Sequence, residues 1–151
     1  MALYFVQHGI ALAKAIEPNR PLSADGRKDI EHISAYLRML GIKVKKIYHS
    51  GKTRAMETAL IFSGHIGDGN IYISPGMNPD DDVMDFASGM DEPDTMYVGH
   101  LPHMEKLVSY LVTGNEEAGV VKFTNGGVVC IEKDDKGFHI LWYLRPSICK
   151  G

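Results

Sequence analysis

The stretch "LYFVQHGIA", residues 3–11, sets four apolar side chains directly before a polar pair and a glycine. An unbroken apolar run of this length reads as a strand covered on both faces. Gln7 and His8 then fall at its end, where neither is needed for the core. A histidine placed there next to Gly9 calls for a chemical reason.

Working outward, residues 17–21 are polar and hold two prolines, so they form a loop. Ser23 is a helix cap with Asp25 in the first turn, where the helix dipole favours negative charge. Ile30, Ile33, Leu37 and Leu40 recur at helical spacing, and Gly41 stops the pattern. Residues 44–48 read as a second strand. Ala55, Ala59, Phe62 and Ile66 trace another helical face, ended at Gly67. Residues 71–73 and 95–98 are the third and fourth strands, the latter leading into Gly99 and His100. Met104, Leu107, Val108 and Leu111 make a further helical stripe, stopped near Gly114. Two β-rich runs, 128–132 and 138–144, flank a turn and form a terminal hairpin. Alternating strands and helices argue for a layered α/β fold with a largely parallel sheet, and residues 1–151 form one domain.

The chain has 151 residues, 44% hydrophobic and 23% charged, with a formal net charge of −3. That balance gives no basic surplus of the kind nucleic-acid binding displays. No apolar run reaches the ~18 residues of a membrane span. Cys130 and Cys149 form no close ligand pair, and the start of the chain has no secretion-signal pattern, so a soluble, cytoplasmic protein with reduced thiols is expected. Composition is silent on the oligomeric state.

Ligands of open α/β sheets bind outside the carboxyl ends of the strands. Gln7, His8 and Gly9 follow the first strand. His49, Ser50, Gly51, Lys52 and, at a helix start, Arg54 follow the second. Gly99, His100 and then Pro102-His103 follow the fourth. His32, His65 and His139 lie on the bodies of elements and are expected to be ordinary surface or core residues. A metal site is disfavoured, because no cysteine or carboxylate joins His8 or His100 at ligand spacing and cations stand nearby. Imidazoles, guanidinium and a helix start suit phosphate better. One imidazole then attacks phosphorus while the other, as a cation, stabilises the equatorial oxygens.

These residues resemble the histidine phosphatase superfamily, of the phosphoglycerate mutase-like branch, and within it the short SixA-type phosphohistidine phosphatases. "LYFVQHGIA", "NRPLSADG", "IYHSGKTRAMETA" and "YVGHLP" match four family motifs in order, between residues 3 and 102. The resemblance implies a three-layer α/β/α fold with a C-terminal hairpin, no cofactor, and a covalent two-step hydrolysis. It implies His8 as nucleophile, Arg54 as phosphate clamp and His100 as the second imidazole, with Arg20 and Gly9 near phosphate or substrate. The implied partner is a phosphohistidine-bearing protein or phosphocarrier.

The chain departs from the family at Gln7, where arginine is usual. Lys52 is the expected replacement charge, although a lysine lacks the bidentate fork. The family's ester hydrolases carry an acid after the third strand. Here Asp80, Asp81 and Asp82 occupy that region as a solvated loop or helix start. The lack of an acid in clear register suits phosphohistidine, whose protonated ring leaves as neutral imidazole, better than an alkoxide leaving group. A small-molecule phosphomonoesterase and a catalytically impaired phosphate-binding domain remain the alternatives.

Overall fold

A computed structural model describes residues 1–149. Six strands form one sheet in the order β3-β2-β4-β1-β5-β6. In chain order the elements are β1 (Ala2–Gln7), α1 (Ala24–Met39), β2 (Lys46–His49), α2 (Thr53–Ile66), β3 (Ile71–Ile73) and α3 (Val83–Ala87). They continue with β4 (Thr95–Gly99), α4 (His103–Thr113), β5 (Val128–Asp134), β6 (Gly137–Leu144) and α5 (Pro146–Cys149). β1, β2, β3 and β4 pair in parallel, and β5 and β6 add an antiparallel hairpin beside β1.

β1 is central, and its apolar run is explained by layers on both sides. Tyr4 and Val6 pack with Ile30, Ile33 and Phe62 of α1 and α2; Leu3 and Phe5 pack with Met104, Leu107 and Val108 of α4. Each core side chain alternates to its own layer, as the strand period requires. The sheet is therefore the middle of three layers.

The expected elements are present; the four-residue α5 is an addition, and so is the short α3. Its Asp82 caps it by accepting the Met84 amide at 2.9 Å. A five-residue helix buries too little apolar surface to leave a periodic stripe, which is why periodicity missed it. At α1, Ser23 Oγ accepts the Gly26 amide at 2.9 Å, the expected cap. Gly26 itself is fixed by crowding: a Cβ there would lie 2.0 Å from the Ile10 carbonyl oxygen. The loop leaving β1 thus lies directly on the first turn of α1. Among the described residues, no helix is long and apolar enough to cross a membrane.

This topology creates a crevice at one place. α1 leaves β1 over one face of the sheet, whereas α4 leaves the neighbouring β4 over the other. Adjacent parallel strands whose helices diverge leave their carboxyl ends open between them. His8 and His100 stand at those two ends.

Candidate active site

The His8 ring is held from both sides. Its Nδ1 lies 2.7 Å from the Gly9 carbonyl oxygen. A carbonyl only accepts, so Nδ1 carries the proton and Nε2 keeps its lone pair. The Arg54 Nε–H donates to that Nε2 at 3.3 Å. Burial lowers the His8 pKa from 6.5 to about 4, with Arg54 and Arg20 adding repulsion. His8 is therefore a neutral imidazole at pH 7 with its free nitrogen facing the guanidinium.

The backbone beneath it is clamped. The His8 amide donates to the Gly99 carbonyl of β4 at 3.0 Å. The Gly126 amide donates to the carbonyls of Gln7 and His8 at 2.9 and 3.2 Å, and Asn125 Nδ2 donates to the His8 carbonyl at 3.1 Å. Thr58 joins the same support from α2: its Oγ1 accepts the Gly9 amide at 3.0 Å and donates to the Arg54 carbonyl at 2.7 Å. Asn125, Gly126 and Thr58 were not singled out from the sequence. Thr58 left a signal, since it lies one helical turn after Arg54. The Asn125-Gly126-Gly127 turn read only as the approach to a hairpin.

His100 lies across the crevice, with its ring centroid 4.9 Å from that of His8. Its Nε2 is 2.6 Å from Ser50 Oγ, while its Nδ1 is buried without a partner. Burial brings its pKa to about 3, with His8, Arg54 and Lys52 acting in the same direction. The expected cationic form concerns the phosphate-bound site. Surrounded by positive groups and shielded from water, the second imidazole is neutral.

Arg54 sits on the first turn of α2, a helix with Lys52 at its N-cap position, no capping side chain and no acid in the first turn. Two cations at the positive end of a helix dipole repel it, and an anion there relieves the conflict. Arg20 completes the group. It adopts φ +48, a left-handed conformation unusual for a non-glycine residue, and anchors Nε on the Leu12 carbonyl at 3.1 Å. Among the described residues, none of Arg20, Lys52 and Arg54 is in an ion pair.

The surroundings of Gly9 and Gln7 bear on two expectations. The Gly9 amide donates to Thr58 Oγ1 and so is not turned towards the crevice as a free donor. A Cβ at Gly9 would meet Ile30 and Leu22 at 2.9 and 3.0 Å, so packing against α1 is what demands glycine. Gln7 is buried beside the site with Oε1 unpartnered, and its side chain makes no bond to Lys52. Lys52 lowers the His100 pKa and is not among the groups that act on His8, so its charge lies on the His100 side.

The remaining histidines are structural. His49 Nδ1 accepts the Gly51 amide at 3.0 Å. His65 pairs with Glu31 and His139 with Asp134, while His32 is exposed. His103 is fully buried, edge-on to Phe86 at 5.6 Å. Among the described residues, no group of three or more His, Cys, Asp or Glu is placed to hold a metal ion.

No protein-family model and no curated protein matches the sequence. Solved structures do match. The protein histidine phosphatase SixA complexed with tungstate shares 20% identity at a TM-score of 0.88, covering 99% of this chain and 100% of that one. The alpha-ribazole phosphatase from Shigella flexneri shares 15% at 0.78, covering 93% and 94%. A phosphoserine phosphatase from Entamoeba histolytica, in complex with 3-phosphoglyceric acid, shares 14% at 0.69, covering 94% and 95%. The chain has the fold of the phosphoglycerate mutase-like histidine phosphatases.

Proposed function

We propose that the chain is a phosphohistidine phosphatase that forms a covalent intermediate on His8. The observation that carries this reading is the neutral His8 Nε2, oriented by the Gly9 carbonyl and facing an Arg54 guanidinium that has no ion pair among the described residues.

In the first step Nε2 forms a bond to phosphorus as the P–N bond of the substrate breaks. The leaving ring, protonated on its other nitrogen, departs as neutral imidazole. Arg54 moves from the His8 lone pair to the equatorial oxygens, where a charge-assisted fork is strongest. Phosphorylated His8 keeps the Nδ1 proton on the Gly9 carbonyl and is therefore cationic, a good leaving group. In the second step a water oxygen bonds to phosphorus and the P–Nε2 bond breaks. The proton leaves with inorganic phosphate, and His8 is neutral again. A phosphoryl dianion in the crevice opposes the repulsion from Arg54 and Lys52 and draws His100 towards its charged form.

The choice of phosphohistidine over an ester rests on the missing acid. No carboxylate is among the groups that shift either imidazole. Asp81 and Asp82 are engaged in a turn and a helix cap at residues 78–84. An alkoxide leaving group needs a proton donor at neutral pH, whereas a protonated phosphoimidazole does not.

The test is turnover of a phosphohistidine peptide against phosphoserine peptide and small phosphate esters, with rapid acid-free quenching to map bound phosphate. Preferential hydrolysis of phosphohistidine with label on His8, abolished by His8→Ala, is expected. Faster ester hydrolysis would replace the substrate assignment, and label on another histidine would replace the nucleophile.

A further inference from the structure

The turn that leaves β2 is fixed at both ends and carries a hydroxyl that the proposed chemistry does not use. The His49 carbonyl accepts the Ser74 amide at 2.8 Å, and His49 Nδ1 accepts the Gly51 amide at 3.0 Å. Gly51 turns the chain at φ +91, a left-handed conformation, and Lys52 follows at the N-cap position of α2. Ser50 is thereby held at the carboxyl edge of the sheet, half-buried, beside His100.

The contact with His100 decides where the ring keeps its proton. Ser50 Oγ, 2.6 Å from Nε2, is the only hydrogen-bond partner of that ring among the described residues. Nδ1 is buried and has none. A proton on Nδ1 would make a buried N–H without an acceptor, which is rarer in folded proteins than an under-used acceptor. The neutral ring therefore carries its proton on Nε2 and donates it to Ser50.

A serine oxygen has two lone pairs and one hydrogen. One lone pair accepts His100 Nε2–H, and the other accepts the Lys52 amide at 3.3 Å. Both acceptor positions are taken, and Ser50 donates to no described group. Its hydrogen is thus directed away from both N–H groups. The chain brings no carboxylate to receive it, since none is among the groups that act on His100. Lys52 and Arg54 are, and they make this place one for an anion.

We propose that Ser50 donates this hydrogen to an oxygen of the bound phosphoryl group. The assignment rests on the reading of the crevice as a phosphoryl site. An oxygen lodged against His100 Nε2 is within reach of Ser50 Oγ, because those two atoms are themselves 2.6 Å apart. The contacts form one chain, from Nε2–H to Oγ and from Oγ–H to the phosphoryl oxygen, and each bond polarises the next. Nε2 carries hydrogen in both the neutral and the protonated ring, so the chain runs in the same direction in either state.

The test is titration of the full chain with inorganic phosphate, followed by the 15N signals of the histidine rings and joined to kinetics on a phosphohistidine peptide. Before phosphate is added, the His100 ring is expected as the Nε2–H tautomer. Ser50→Ala weakens phosphate about tenfold, the loss of one hydrogen bond to a charged group, and lowers kcat/KM by a similar factor. Ser50→Thr, which keeps the hydroxyl, restores most of both. Ser74→Ala removes a hydroxyl that donates to the Pro75 carbonyl, and leaves both unchanged. The proposal is overturned if His100 carries its proton on Nδ1, or if Ser50→Thr is as weak as Ser50→Ala. If the parent binds no phosphate, the phosphoryl reading and the role of Ser50 fall together. If the parent binds phosphate and Ser50→Ala binds it equally, only the role of Ser50 falls.

Discussion

The carboxyl edge of the sheet and the face walled by residues 80–94 carry opposite charge within one small domain. At the edge, Arg20, Lys52 and Arg54 surround two neutral imidazoles and have no ion pair among the described residues. On the face, Asp81, Asp82 and Asp85 line a cleft with Tyr48, Phe86 and Tyr97 and have no ion pair among the described residues. The net charge of −3 averages the two away. The two regions also hold their charge differently. Asp81 and Asp82 are satisfied by neighbouring amides, so their charge is stabilised locally. The cations converge at the end of a helix dipole that repels them, so the edge is relieved only by an anion from outside.

The sharpest way to break this contrast is to remove the central cation. Arg54→Ala should lower kcat/KM on a phosphohistidine substrate by about 10²–10³, the cost of losing a preorganised donor to developing charge. Arg54→Lys should recover only part of it, because a point charge lacks the fork. Steady-state kinetics of the two variants decide; equal activity in Arg54→Ala and the parent would remove Arg54 from the clamp.

Acid breaks the contrast from the other side, by forcing charge onto buried imidazoles beside cations. His8 has a pKa of about 4 in the folded chain against 6.5 when unfolded. The unfolded state therefore binds the proton more tightly, and stability is fully present above pH 6.5 and falls as pH drops towards 4. A loss of about 2–3 kcal/mol from His8 over this window is expected in urea melts. His8→Gln should flatten that part of the slope; an unchanged slope would mean that His8 is not buried neutral.

Lys52 sharpens the contrast most finely, since it tests whether a displaced charge replaces the one missing at Gln7. Lys52→Ala should slow hydrolysis about tenfold, in line with one charge-assisted contact. Gln7→Arg in that background should restore part of the rate, giving non-additive effects of a shared role. Wild-type kinetics in Lys52→Ala would show that Gln7 suffices as a neutral donor.

Much of this was written in local pattern. The apolar run before Gln7 is legible as a two-sided strand because burial on both faces removes the polar alternation. Ser23 with Asp25, and Gly114 in its left-handed conformation, mark helix ends through short-range hydrogen bonds. The candidate site residues were legible because each follows a strand or opens a helix, where topology alone sends side chains to one edge. α3 was not legible, being too short for a periodic signal. The packing demand on Gly9 was not legible either, because it comes from Ile30 and Leu22, 21 and 13 residues away.

The sequence by itself determined the strands, the principal helices, the layered class and the polar residues at the strand ends, because these depend on spacing and on contacts within a few residues. Only the tertiary structure decided the electrical state of the site. The proton on His8 Nδ1, the neutrality of His100, the Thr58 and Asn125 supports and the segregation of acids onto a second face all arise between distant segments. Burial and through-space Coulomb interaction set them, and neither is a function of distance along the chain.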